Sequence, residues 1–306
     1  MGYLEIQNLS NPMQGPVGFL FSESQGIRVQ KFDPGYPENR VVADPRPFAH
    51  GSFDYTKYFG PREVSIEFMI LPQIAAGVDR ATVIDTLRGL CNPALTCYLI
   101  DDLEPSRAAR RILIKPSQFS IPYEFVNRNY GQISWRCPDG YWEDYNATSI
   151  TIGISSGGGG GGGGGAVGRQ YPLIYPKSFG GVGSQPPPVT GNAVQVGGNI
   201  ETYPVVRLNG PFSEGTLTNS TTTKQLKFNP FNSAVGAGEY VSVDFRNKTA
   251  LRGSGSVATE SVYDKIDWSV SQWWSLPVGT NSIAFSPVGN IVGVTNAQVS
   301  FRNAWI

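Results

Sequence analysis

The sequence predicts a mainly β protein: an N-terminal β-sandwich or barrel-like domain with one short α-helix, a Gly/Pro-rich connector, and a C-terminal β-sandwich. Three observations carry this. Short segments of period-two alternation recur toward both ends, a single window of helical period interrupts them, and an unbroken glycine run from Gly157 to Gly165 divides the chain near its middle. At 306 residues the chain exceeds a usual single domain. The divisions expected are residues 1–155, a connector over 156–200, and 201–306.

In the first part, VGFLFSES, IRVQKF, REVSIEFMIL, RRILIKPSQF and GQISWRC alternate apolar with polar residues and are bounded by Gly, Pro, Asn and Asp, which reads as strands and turns. VDRATVIDTLRGL differs. Asp79 can cap a helix there, Val83, Ile84, Leu87 and Leu90 fall on one face, and Gly89 lies near its end. The connector follows its glycines with GRQYPLIYPKSFGGVGSQPPPVTGN, where Pro186 to Pro188 favour extended backbone and the glycines favour bends. From Glu201 alternation resumes in TYPVVRLNG, KQLKFN, EYVSVDF, NSIAFS and AQVSFRNAWI without a helical period, which predicts a β-sandwich. No solenoid or propeller repeat is present.

Apolar residues make up 40% of the chain and charged residues 16%, with 24 Lys plus Arg against 24 Asp plus Glu. A neutral, weakly charged surface gives no field to attract nucleic acid or an anionic membrane, and it favours assembly with other protein. No apolar run approaches the ~20 residues that span a bilayer. MGYLEIQNLS lacks the basic and apolar segments of a secretory signal, so Cys91, Cys97 and Cys137 are expected as reduced, buried thiols of a protein made in the cytoplasm.

Candidate chemistries fail on their spacing. The glycine run matches G-x-G-x-x-G trivially, but Ala166 to Pro172 is not the helix start that a phosphate site needs. His50 is the only histidine and no G-x-S-x-G elbow exists, so no hydrolase triad can be assembled and a loop histidine is expected. Cys91 and Cys97 lack a second ligand pair for zinc. Asp101, Asp102 and Glu104 in IDDLEP lack the order of a calcium loop and read as a solvated hairpin tip. Glu143 and Asp144 are adjacent, face opposite ways on a strand, and read as a surface turn. Arg107, Arg110 and Arg111 read as a solvated loop or as ion-pair partners for another subunit. No catalytic residue, cofactor or metal is nominated.

The aromatic residues leave two readings open. Trp268, Trp273 and Trp274 in DWSVSQWWSLPVGTNSIAFS can anchor a sandwich core or present flat faces to a sugar, and the same choice applies to Trp135, Trp142 and Trp305.

Three stretches of the first part, YTKYFGPREVSIEFMI, a short helix followed by ALTCYLI, and GQISWRCPDGYWED, resemble the N-terminal domain of siphovirus distal tail proteins, often labelled minor tail proteins in phages of actinobacteria. DWSVSQWWSLPVGTNSIAFSPVGN and AQVSFRNAWI resemble the C-terminal domain of that family, and the glycine run followed by G-R-x-Y-P is similar to chains of this kind. The resemblance implies a structural virion protein at the distal end of the tail. It implies a homohexameric ring made by the N-terminal domains, with galectin-like C-terminal domains projecting outward. The implied partners are sister copies, the major tail tube protein, the tape-measure protein, and the tail-tip hub and fibre proteins. Tyr58 to Arg62 and Trp135 to Trp142 would scaffold the ring domain, and Trp268, Trp273, Trp274 and Trp305 the outer one. The alternative is a β-sandwich adhesin that stacks host cell-wall glycan on Trp268, Trp273 and Trp274.

Ordering a glycine run costs about 1–2 kcal/mol per residue. Docking against a neighbouring chain would offset that, which makes Gly157, Gly161 and Gly165, with Arg169 and Tyr171, the expected assembly contacts.

Overall fold

Period-two patterning decides the central strands. In the segment Arg62–Ile70, REVSIEFMI, every second side chain is buried, with Val64, Ile66, Phe68 and Ile70 fully so, because successive strand residues leave opposite faces. The structure is a computed structural model describing residues 4–8, 17–45, 50, 52–71, 79–92, 94–121, 130–154, 192–289, 291 and 295–306. The chain is mainly β, with one α-helix among the described residues, and divides into two units.

The first unit comprises Met1–Ala147, Gly198–Ile200 and Arg302–Ile306. Its strands are β1 (Leu4–Asn8), β2 (Val17–Leu20), β3 (Ile27–Asp33), β4 (Asn39–Pro45), β5 (Ser52–Phe59), β6 (Arg62–Ile70), β7 (Cys97–Asp101), β8 (Arg110–Ser120), β9 (Tyr130–Cys137) and β10 (Trp142–Asp144). To these the last strand of the chain, Ala304–Trp305, adds itself beside β10. The main sheet runs β2-β1-β7-β8-β9-β6-β3, and β4 pairs with β5 as a separate hairpin. β8 pairs with β7 and β10 through its first half and with β9 through its second, with a register shift between Pro116 and Gln118. Proline donates no ladder hydrogen bond, which suits it to such an irregularity.

Helix α1 (Arg80–Leu90) starts at Asp79, whose carboxylate accepts from the Thr82 amide at 2.7 Å. The first-turn amides have no intrahelical partner, and this bond satisfies one of them. Val83, Ile84 and Leu87 are buried in the core of this unit, with Leu90 partly so, at roughly 1.5–3 kcal/mol for each fully buried aliphatic side chain. Gly89 lies inside the helix and Cys91 follows its last turn.

The second unit comprises Thr148–Gly197 and Glu201–Phe301. A six-stranded antiparallel sheet contains β11 (Thr148–Ile152), β13 (Val205–Asn209), β16 (Glu239–Asp244), β17 (Thr249–Ser254), β18 (Val257–Ser261) and β20 (Asn296–Phe301), in the order β11-β20-β13-β16-β17-β18. A four-stranded sheet contains β12 (Asn192–Val196), β14 (Glu214–Asn219), β15 (Lys224–Phe228) and β19 (Gly279–Val288), in the order β12-β19-β14-β15. Val206, Leu208, Val241 and Val299 of the larger sheet share one core with Val196, Leu217, Phe228 and Phe285 of the smaller, which makes a β-sandwich. β12 lies within the stretch read from sequence as connector, and its Val194 and Val196 are buried in this core. The short β-strand Ala304–Trp305 is β21.

Four readings from sequence need correction. Glu143 is not on a surface turn: it is buried in β10 and binds Arg111 at 3.2 Å. Arg107 and Arg111 find acids inside their own chain, Asp101 and Glu143 respectively, because β8 returns beside β7 and β10. Asp101 is accordingly buried, while Leu103 and Glu104 beyond it are exposed. Trp305 packs against the core of the first unit, since Arg302–Ile306 belongs to that unit.

Candidate functional site

Two clusters, one on each unit, stand out from the ordinary core. In the second unit, Trp274 is buried at 2% exposure with its ring 4.1 Å from Phe245. Trp273 meets Phe245 edge-on at 5.5 Å and reaches outward to Trp268 at 5.8 Å and Tyr263 at 6.3 Å. Tyr263 and Trp268 stand 5.1 Å apart and are 44% and 43% exposed. The three tryptophans therefore divide: Trp274 is core, while Trp268 and Trp273 join Tyr263 in a surface cluster. Tyr263 was missed from sequence, although an aromatic residue five places before Trp268 in a polar stretch was the available signal.

Beside this cluster Asp267 accepts from the Ser269 hydroxyl and amide, and Lys227 lies 3.4 Å away. Those hydrogen bonds, led by the Ser269 hydroxyl, hold its carboxyl below the ordinary aspartate value. The corner thus offers aromatic faces flanked by an ionised carboxylate, which suits stacking and hydrogen bonding.

On the first unit, four arginines gather around the β7–β8 hairpin and the last residues of the chain. Arg107 pairs with Asp101, and Arg111 pairs with Glu143 while lying 4.2 Å over the Tyr98 ring. Arg110 lies 4.1 Å over Trp305. Asp144 accepts from Trp305 Nε1 and from Asn303 Nδ2, each at 2.7 Å. Arg62, at the start of β6, is 3% exposed, and its Nε meets no hydrogen-bond partner among the described residues. Burial pulls its pKa below the ordinary arginine value, partly opposed by the neighbouring Cys137 and Tyr36. Burial likewise lowers the pKa of Arg110, with the charge of Arg107 adding to the effect.

Arg62 borders two clefts, of about 340 Å³ and about 330 Å³. Arg107, Arg110, Phe32, Tyr36 and Trp142 help to line the first, and Glu38, Glu63 and Arg136 the second. The sequence held a signal for Arg62: it is in phase with Val64, Ile66 and Phe68, so alternation alone assigns it to the core face.

The remaining candidates gather no chemistry. His50 is exposed on a bend. Cys91 is half-buried, Cys97 and Cys137 are buried, and all three are free thiols. Among the described residues no group of three or more His, Cys, Asp or Glu is placed to hold a metal, and no helix is long and apolar enough to cross a membrane. Gly157, Gly161, Gly165, Arg169 and Tyr171 lie outside the described residues.

Residues 197–305 match the family described as siphovirus-type tail component, C-terminal domain. No curated protein matches the sequence. In fold the chain is similar to the Dit protein of phage SPP1, described as a paradigm of hub adsorption apparatus in Gram-positive infecting phages, with a TM-score of 0.61 at 11% identity over 99% of both chains. It is also similar to a chain of the phage P2 baseplate in its activated conformation with Ca, with a TM-score of 0.55 at 8% identity over 99% of this chain and 98% of that one. A chain of the phage p2 baseplate in its activated conformation with Sr gives a TM-score of 0.54 at 9% identity over the same shares. The chain thus has a Dit-like fold along nearly its whole length, and residues 197–305 carry the match to the siphovirus-type tail component family.

Proposed function

We propose that this chain is the distal tail protein of a long-tailed phage, a structural part that works by assembly. In this reading the first unit forms a homohexameric ring continuing the tail tube, and the second unit, as a galectin-like domain, projects outward. The ring joins the major tail tube protein to the tail-tip hub and fibre proteins, beside the tape-measure protein. One observation carries the reading: the likeness in fold to the SPP1 Dit protein extends over 99% of both chains. The neutral charge balance and the weakly charged composition are consistent with a surface that closes on other protein. Pairing exposed strand edges around a closed ring also removes sites of uncontrolled association. The glycines Gly157, Gly161 and Gly165, with Arg169 and Tyr171, remain the proposed contacts of the connector.

Gold-labelled antibody against the purified chain is expected to mark the distal end of virion tails in electron micrographs. Label spread along the tube or confined to the capsid would refute the placement.

A second reading rests on the exposed Tyr263–Trp268–Trp273 cluster, which could stack host cell-wall glycan. It is the weaker of the two, because the cluster occupies one corner of one unit whereas the tail-end reading draws on the whole fold. Saturable quenching of tryptophan emission by purified cell-wall polysaccharide, lost in Trp268→Ala at unchanged melting temperature, would favour it.

A further inference from the structure

Arg62 presents an unusual electrostatic situation. A guanidinium stays charged at any pH that the fold survives, so its 3% exposure buries a cation. Buried charges are ordinarily paired. Among the described residues no side-chain carboxylate lining the clefts forms an ion pair with Arg62. Asp101 receives Arg107 and the Leu103 amide, Glu104 receives the Ser106 hydroxyl, and neither Glu38 nor Glu63 forms an ion pair with Arg62. Arg107 and Arg110 add further positive charge to the same cleft.

The walls are set before any ligand arrives. Gly35 has φ +62°, and a Cβ there would clash with the Glu63 carbonyl oxygen, so the loop carrying Pro34 to Tyr36 lies tightly on the β6 backbone. Only glycine tolerates both the angle and the approach. Tyr36, 68% exposed, and Leu103, 40% exposed, line the cleft together with the buried Trp142. A buried arginine inside an aromatic and apolar rim has the composition of a protein-interface hot spot.

We infer that this cleft is a socket for a carboxylate side chain, flanked by an apolar residue, on an adjoining protein subunit, with Arg62 as the cation it engages. Charge complementarity selects an acid, and the guanidinium fork matches a carboxylate with two parallel hydrogen bonds. The apolar rim selects a protein segment over a free inorganic anion, which would leave Tyr36 and Leu103 wet. The inference rests on the assembly reading above and adds to it the chemistry of one contact.

The test is a titration of the full-length protein followed by the arginine Nε–H signals in nitrogen-15 NMR, with the Arg62 signal assigned through Arg62→Lys. The probes are acetyl-Leu-Asp-Leu-amide, its Leu-Asn-Leu counterpart and inorganic phosphate. The expected result is a saturable shift of the Arg62 signal with the aspartyl peptide alone, weakened about tenfold by Tyr36→Ala, a hot-spot-sized loss at an exposed site that leaves folding intact. If Arg62→Lys does not fold, Arg107→Gln and Tyr36→Ala still report through loss of peptide binding. An equal or larger shift with phosphate would identify a free-anion site and overturn the socket, as would silence in all three arms. Rings formed by a chain with a silent Arg62 would sink the socket and leave the assembly reading standing. A saturable aspartyl response in a chain that never labels tail ends would do the reverse.

Discussion

Trp305 Nε1 donates a 2.7 Å hydrogen bond to the Asp144 carboxylate, across a sequence separation of 161 residues. Asn303 supplies a second donor to the same carboxylate, and Arg110 lies over the Trp305 ring. The chain leaves the first unit after Ala147, rejoins it over Gly198–Ile200 and again at Arg302, so the last residues are structural members of the part that begins the sequence.

Asp144→Ala removes the acceptor for both donors. Hydrogen bonds to a charged group contribute about 1.5–3 kcal/mol each when intact, and partial exposure places the combined loss at about 2–3 kcal/mol. A lower denaturant midpoint for the first unit is the expected result. Trp305→Phe keeps most of the packing and is expected to cost only about 1 kcal/mol. Equal losses for the two variants would contradict this division of roles.

Trp274 and Trp268 are expected to behave oppositely despite their proximity in sequence. Trp274→Ala opens a cavity in the sandwich core and costs about 3–5 kcal/mol. Trp268→Ala, at an exposed position, costs less than about 1 kcal/mol. Thermal melts of the two variants check the contrast.

Gly35→Ala forces a side chain into left-handed backbone and against the Glu63 carbonyl. The backbone conformation alone costs about 1–2 kcal/mol, and the clash adds to it. Loss of stability with faster hydrogen exchange at the start of β6 is expected. Unchanged exchange there would show that the loop does not clamp the strand.

Glu239 accepts from the Gly236 amide at 2.7 Å and from Arg252 at 2.6 Å, and these bonds depress its pKa in that order. A depressed carboxyl adds stability that is complete above its ordinary value, 4.5, and disappears as pH falls through the folded-state value. Glu239→Gln is therefore expected to lose less stability than the parent between about pH 5 and pH 3. Parallel acid limbs in denaturant titrations would refute the linkage.

The thiols are expected to be sluggish. Burial pushes Cys137 up to about 12 and Cys91 up to about 11. Near neutral pH, two units above the ordinary 9.0 leave Cys91 about 100-fold poorer in thiolate than a free cysteine. A chromogenic disulfide reagent should modify Cys91 slowly and reach Cys137 only on unfolding.

Local rules reached the local structure. REVSIEFMI gave its strand and buried face through alternation, and Asp79 with Val83, Ile84 and Leu87 gave α1 its start and inner side, because both patterns depend on neighbours a few residues away. Long-range pairing was not legible. Nothing near Glu143 indicates that Arg111 will lie beside it, and nothing in AWI indicates that Trp305 will return to Asp144. The tryptophans divided by contact: composition could not tell Trp274, against Phe245, from Trp268, which meets Tyr263 near solvent. Arg62 lay between these cases, since its phase was visible and its lack of an acid was not.

Ring assembly is tested by the mass and shape of the purified full-length chain, by sedimentation equilibrium with negative-stain electron microscopy, alone and with the tail tube protein. The expected result is a closed ring of six copies of the 33.1 kDa chain. A single copy under both conditions, up to the highest soluble concentration, would contradict it.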